Sequence, residues 1–169
     1  MNLERNTKRT AEISKSLFEV YKSEIKISSD SSSYSVSFSK NATMNISDPN
    51  NFKLPFGVGL YEPILMMSMI SVKSIDINSL DKIRSIFIDN YFKSEHDTKY
   101  PNVLFSYQKK VKDAGHFEAY NHWILMKGDE DGFDAWKKDN EEKWNSFVKW
   151  FTSNPLIIDN SNKFYSGQY

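Results

Sequence analysis

From residue 3 to about residue 24, Leu3, Thr10, Ile13, Leu17 and Val20 or Tyr21 fall on one stripe at roughly 3.6-residue spacing, so the chain opens with an amphipathic helix over 3–24. Ser28-Ser29-Asp30-Ser31-Ser32-Ser33 ends it, because short polar side chains compete for backbone hydrogen bonds and favour a loop. From Tyr34 the period becomes two: Tyr34, Val36 and Phe38 alternate with serines, and a second run from Ala42 carries Met44 and Ile46. That alternation predicts a small β-hairpin over 34–46 with one wet face. A lone two-stranded hairpin is marginal in water, so it must lie on the helices or pair with another chain. Asp48-Pro49-Asn50-Asn51 reads as the closing turn.

Phe52 to Leu60 is apolar but interrupted by Pro55, Gly57 and Gly59, which rules out a regular helix or a central strand and predicts a buried connector. Pro63 suits the first turn of the helix that follows. From Glu62 to about Ser74, Ile64, Leu65, Met66, Met67, Met69 and Ile70 cover every face, the pattern of a fully buried helix, and this segment is predicted to be the centre of the core. Asn78 or Ser79 can cap the next helix, whose Leu80, Ile83, Phe87 and Tyr91 share a face. Lys93 to Thr98 reads as a loop. A fourth helix runs from Pro101 to Ala114 on Leu104, Tyr107 and Val111, and Gly115 stops it. Phe117, Tyr120, Trp123 and Ile124 mark a short fifth helix ending at Gly128, so a one-glycine turn joins an antiparallel pair. Asp129-Glu130-Asp131 suits the positive end of a sixth helix, with Phe133, Trp136, Trp144, Phe147 and Phe151 on its stripe. Asp139, Asn140 and Glu142 resemble a second cap, which splits this region into two helices near 139. Asn154-Pro155 ends it, and 159–169 is expected to be a frayed tail.

The fold class expected is α+β and predominantly α-helical: about six helices in a compact orthogonal or hairpin bundle, with one small β-hairpin near 34–46. A single domain over 1–169 is expected, with its helical core at 61–152, since 169 residues are too few for two sizeable cores.

Composition narrows function mainly by exclusion. The 22 basic residues balance the 22 acidic ones, so no global field draws in nucleic acid or an anionic membrane. No cysteine is present, which excludes disulfide frameworks, thiol nucleophiles and cysteine metal sites within these residues. Met1 to Arg9 lacks the apolar core of a signal peptide, and Ile64 to Ile70 is far short of the ~20 residues that span a bilayer. A soluble cytoplasmic chain is therefore expected, with export after removal of a signal as the alternative.

Three histidines are available for metal or acid–base work: His96, His116 and His122. Glu118 and His122 sit at i, i+4 on one helical face, but the two histidines four apart that flank the glutamate of a zincin helix are missing, so a surface helix is the preferred reading. Gly57-Val58-Gly59 lacks the lysine and serine of a phosphate-binding loop. Lys109-Lys110-Val111-Lys112 reads as a solvated face rather than a nucleic-acid patch. No catalytic residue, metal or cofactor is expected.

Gly115-His116-Phe117-Glu118-Ala119 resembles the inter-helix turn of a tetratricopeptide unit, although its alanine falls one place early and no second copy appears at a 34-residue spacing. The resemblance implies a helical hairpin and transfers no functional residue.

What is left is the aromatic stripe. Most such stripes are core, but Trp136, Trp144, Trp150 and Phe151 exceed what one face needs and form the candidate partner surface. The function expected is a non-enzymatic protein–protein interaction module, an adaptor, assembly component or immunity-type inhibitor, with another protein or a second copy of the chain as partner. The rival expectation is a small-ligand binder or enzyme with an apolar pocket lined by Met66, Met67 and the Phe56-Gly57-Val58-Gly59 loop. An exported structural protein is the third.

Overall fold

Thr7 begins the regular structure. Its hydroxyl accepts from the Thr10 backbone N–H while Thr10 Oγ1 accepts from the Thr7 N–H, a reciprocal cap that opens helix α1 (Lys8–Glu24). The computed structural model describes residues 1–28, 33–40 and 54–163. Among them the order is α1, strands β1 (Ile25–Ile27) and β2 (Tyr34–Val36), a wide π-helical turn (Gly57–Tyr61), α2 (Glu62–Ser68), α3 (Ile77–Lys93), α4 (His96–Lys99), α5 (Val103–Asp113), α6 (Phe117–Leu125), α7 (Glu130–Asp139) and α8 (Glu141–Ser153). The fold is thus predominantly α-helical α+β, with one two-stranded sheet.

Helix α1 starts at Lys8, not at residue 3, and its inward face keeps Thr10 and Tyr21 of the predicted stripe but turns away from Leu3, Ile13 and Val20. Thr10, Ser14, Phe18 and Tyr21 are buried, while Leu3, Ile13 and Val20 are exposed. The small residues win because the backbone of another segment comes close: Ser14 Oγ accepts a hydrogen bond from the Lys127 N–H at 3.0 Å.

The hairpin is placed differently from the expectation. Tyr34–Val36 pairs backward with Ile25–Ile27, antiparallel with Ile25 opposite Val36. The partner strand predicted at 42–46 lies outside the described residues, as do the turn at 48–51 and positions 164–169. Ile-Lys-Ile is too short to register as a periodic run and is continuous with the helix before it. The hairpin lies against α1 and α2.

The centre of the core is α3, not the segment 62–74. α3 packs against α2, α4, α5, α6 and α7 and buries Ile77, Leu80, Ile83, Arg84, Phe87, Ile88 and Tyr91. Helix α2 stops at Ser68 and buries Ile64 and Leu65, with Met69 just beyond it, yet leaves Met66, Met67 and Ile70 exposed. A mostly apolar run does not demand burial on every side, because apolar atoms supply over half of any protein surface. Of the apolar segment before it, predicted as a buried connector, Gly57 to Leu60 belong to the wide turn, where Leu60 is buried but Val58 is exposed, as is Leu54 before it.

The predicted loop at 93–98 holds a single helical turn, α4, after Glu95 takes the left-handed conformation at φ 56°. Helix α5 begins two residues after Pro101, because the Asn102 side chain accepts from the N–H groups of Leu104 and Phe105 at 3.0 and 3.3 Å. Asn102→Ala is expected to lower stability by about 1 kcal/mol, measured by urea denaturation; no change would mean that water caps α5 equally well. Gly115 ends the helix in the left-handed region at φ 77°, as its position suggested, and α5 packs on α6. The predicted break near 139 is present: Asn140 separates α7 from α8.

Candidate functional site

Segments from along the whole described chain converge on a cavity of about 540 Å³ beside the middle of α3. α1 supplies Leu17 and Tyr21, the residues after β2 supply Phe38 and Ser39, and the wide turn supplies Phe56, Gly57 and Tyr61. The opposite wall is α5 with its cap, from Asn102 to Phe105 and at Gln108, and α3 forms the floor with Arg84 and Phe87. Six of the lining residues are aromatic rings. Phe38 meets Tyr21 and Tyr61 edge-on at 5.7 Å each, and Tyr61 stacks on Phe105 at 6.5 Å and 14°. Such offset and edge contacts fix ring positions, so the wall is pre-formed rather than assembled on demand.

Among the described residues, Arg84 is the one charged residue in that wall. It stands on the buried face of α3, four residues after Leu80 and three before Phe87. Its Nε donates to Asn121 Oδ1 at 2.8 Å and its Nη1 to the Tyr21 hydroxyl at 2.9 Å. Nη2 is buried and has no hydrogen-bond partner among the described residues. Among them, no carboxylate lies within 4.0 Å of the guanidinium. The nearest acid along the hydrogen-bond path is Asp81, which accepts from Asn121 Nδ2 at 2.8 Å. Burial raises the Asp81 pKa, and the Asn121 hydrogen bond and the charges of His122 and Arg84 only partly oppose it. Burial also works against the charge on Arg84, but the oxygens of Tyr21, Tyr120 and Tyr61 outweigh it and hold its pKa above the usual value. Tyr61, 3.3 Å from Tyr21 through their hydroxyls, has its pKa pushed well up by burial and by Tyr21. Its phenol stays protonated near neutral pH.

The residues singled out from the sequence are placed elsewhere. Trp136 is buried, stacked on His122 at 4.1 Å, with its Nε1 donating to Glu118 at 2.8 Å. Phe151 is buried under Arg5, whose Cζ lies 3.5 Å above the ring and whose Nη1 donates to the Phe151 carbonyl. Trp144 is half-buried and meets Phe133 edge-on at 5.2 Å, and Trp150 is half-buried beside His116 at 5.3 Å. The stripe is therefore mainly core. Trp144 and Phe151 do line a second, smaller cavity of about 320 Å³ with Arg5 and Trp123. Of the residues expected to line an apolar pocket, Phe56 and Gly57 do so at the Arg84 cavity, whereas Met66 and Met67 face solvent.

Glu118 and His122 share a helix but turn to other partners. The Glu118 carboxylate accepts from Trp136 and from Lys143 Nζ, while His122 Nδ1 bonds the Glu118 backbone oxygen at 2.9 Å and its Nε2 lies 3.2 Å from the Asn78 amide. Among the described residues, no three His, Asp or Glu side chains stand close enough together to hold a metal ion.

Burial holds the His122 pKa below the ordinary imidazole value of about 6.5, against the pull of the Glu118 backbone and of Asp81. The unfolded chain then binds this proton more readily than the folded one. Its contribution to stability is fully present above about pH 6.5 and is lost as pH falls from there through the folded pKa. Asp81, raised by burial, has the opposite sign: its contribution is complete below about pH 3.9 and is lost as pH rises through its folded value. Melting temperature is expected to fall between pH 7 and 5, and His122→Gln to flatten that slope. A slope unchanged in the variant would show that another group carries it.

The signal for Arg84 was present in the sequence, as a basic residue inside the apolar stripe of α3. The partners that make it a site, Tyr21, Tyr61 and Asn121, lie 63, 23 and 37 positions away and share no motif with it. Comparison with protein-family models, curated proteins and solved structures returns no match, so the tetratricopeptide resemblance at Gly115 to Ala119 rests on its helical hairpin alone.

Proposed function

We propose that the chain is a small-ligand-binding protein, and not an enzyme, whose site is the aromatic cavity between α1, α3, α5 and the wide turn. The observation that carries this reading is the cavity itself: about 540 Å³, within the ~300–1,000 Å³ of ligand pockets, walled by rings already held in place by one another. Binding is favoured over catalysis because Arg84 and Tyr61 keep their protons near neutral pH, and general acid–base work needs a group poised to change state there. The test is fluorescence enhancement of a neutral apolar dye, N-phenyl-1-naphthylamine, on the wild-type chain and on Leu104→Trp, which fills part of the wall. Saturable binding that weakens at least tenfold in the variant supports the cavity; equal binding by both, or none by the wild type, overturns it.

A second reading, a protein-interaction module, has its own observation. Met66, Met67 and Ile70 stand 42%, 54% and 71% exposed on one short helix and the turn after it, an apolar surface of the kind that partners cover. Ile70→Lys is expected to abolish capture of any partner that the wild-type chain retains. No helix among the described residues is long and apolar enough to cross a membrane, so this face is not part of a helical span.

A further inference from the structure

The charge balance of the cavity wall specifies more than its shape does. A guanidinium taken out of water needs an anion or a full set of acceptors, because burying an unpaired charge is among the costliest arrangements in a protein. Arg84 is 8% exposed, uses Nε on Asn121 and Nη1 on Tyr21, and keeps Nη2 without an acceptor among the described residues. A second donor stands beside it. The Tyr21 and Tyr61 hydroxyls carry two protons and share a single hydrogen bond with each other, so one O–H remains to be donated. An N–H and an O–H, both charge-assisted by one guanidinium, match the two oxygens of a carboxylate. A dianionic head is a worse match, since among the described residues the wall holds one cation and no second basic side chain.

We propose that the ligand of this cavity is an amphipathic monocarboxylate, its head received by the Arg84 guanidinium and the Tyr21–Tyr61 hydroxyl pair and its apolar body packed among Phe38, Phe56 and Phe105. The inference rests on the cavity being the ligand site. It adds the sign and number of charges on the ligand.

The experiment compares matched acids and neutral analogues on the intact wild-type chain by isothermal titration calorimetry at pH 7.4. Decanoate is set against decanol, and 1-naphthylacetate against 1-naphthylacetamide, so that an aliphatic and an aromatic body are both sampled. In at least one pair the acid is expected to bind at least tenfold tighter than its neutral partner, and decyl phosphate to bind more weakly than decanoate. Arg84→Met should remove the preference for the acid while retaining the neutral dye. Should that variant fail to fold, Tyr61→Phe keeps the ring, removes one donor and is expected to lower acid affinity at least threefold with no change for the neutral analogue.

Acids that bind no tighter than their neutral partners in both pairs overturn the inference, and so does decyl phosphate binding more tightly than decanoate. If the neutral dye still binds in either case, the cavity reading survives. Loss of dye binding as well removes both.

Discussion

Replacing Phe147 by alanine is expected to lower the unfolding free energy by about 3–5 kcal/mol, the range for a fully buried aromatic ring whose removal leaves a cavity. Phe147 is 1% exposed and sits where α8 meets α6, with ring centroids of Phe151, Trp144, Trp123 and Tyr120 at 5.0, 5.7, 6.4 and 6.5 Å. Those neighbours are themselves large and locked against one another, so they cannot collapse into the space a ring leaves. Against a total stability of about 5–15 kcal/mol for an ordinary domain, the variant stands at the edge of folding. The adjacent Val148 is 42% exposed, and Val148→Ala is expected to change stability by no more than about 0.5 kcal/mol. Urea denaturation of the two variants separates core from surface on a single helix. A loss below about 1 kcal/mol at Phe147 would mean that α8 is not seated on α6 as described.

That contrast also explains what the sequence made legible. The helices from α3 onward carry apolar residues at three- and four-residue spacing, and their ends are punctuated by side chains with a specific local task. Gly115 takes a backbone angle disfavoured for other residues, and Asp129 accepts from the Gly132 N–H to cap α7. Local chemistry of this kind can be read one segment at a time. The break between α7 and α8 was visible because Asn140 and the acidic residues after it stop one helix and start another within a few positions.

What could not be read depends on which segments meet. Ser14 faces inward although Ile13 is greasier, because Ser14 is needed at the Lys127 N–H. Ile25–Ile27 is a strand only because Tyr34–Val36 returns beside it. The aromatic stripe of 133–151 was recognised, but whether Trp136 reached a partner or the core was decided by His122 and Glu118, both on another helix. Arg84 is the clearest case. A basic residue on a mostly apolar face ordinarily extends its charge to water, and here the tyrosine at 21 and the asparagine at 121 hold it inside instead.

The docking of α1 supplies the second strong test. Gly128→Ala adds one methyl group, yet it is expected to lower stability by about 1–3 kcal/mol or more. A Cβ at Gly128 would fall 2.7 Å from Phe18 Cδ1 and closer still to its Cβ and Cγ. A ring tip can swing aside, but Phe18 Cβ is tied to the backbone of α1, so the whole helix must shift. That shift pulls Ser14 from the Lys127 N–H and disturbs Tyr21, which partners Arg84 in the cavity wall. At roughly 2–4 °C per kcal/mol for a chain of this size, the loss is measurable by thermal melting. A double-mutant cycle identifies the cause: with Phe18→Ala already in place, Gly128→Ala should be close to neutral, because the clash has no partner. If the glycine substitution costs as much in the absence of the ring as in its presence, the strain lies in the turn itself, and α1 does not press on Gly128 through Phe18.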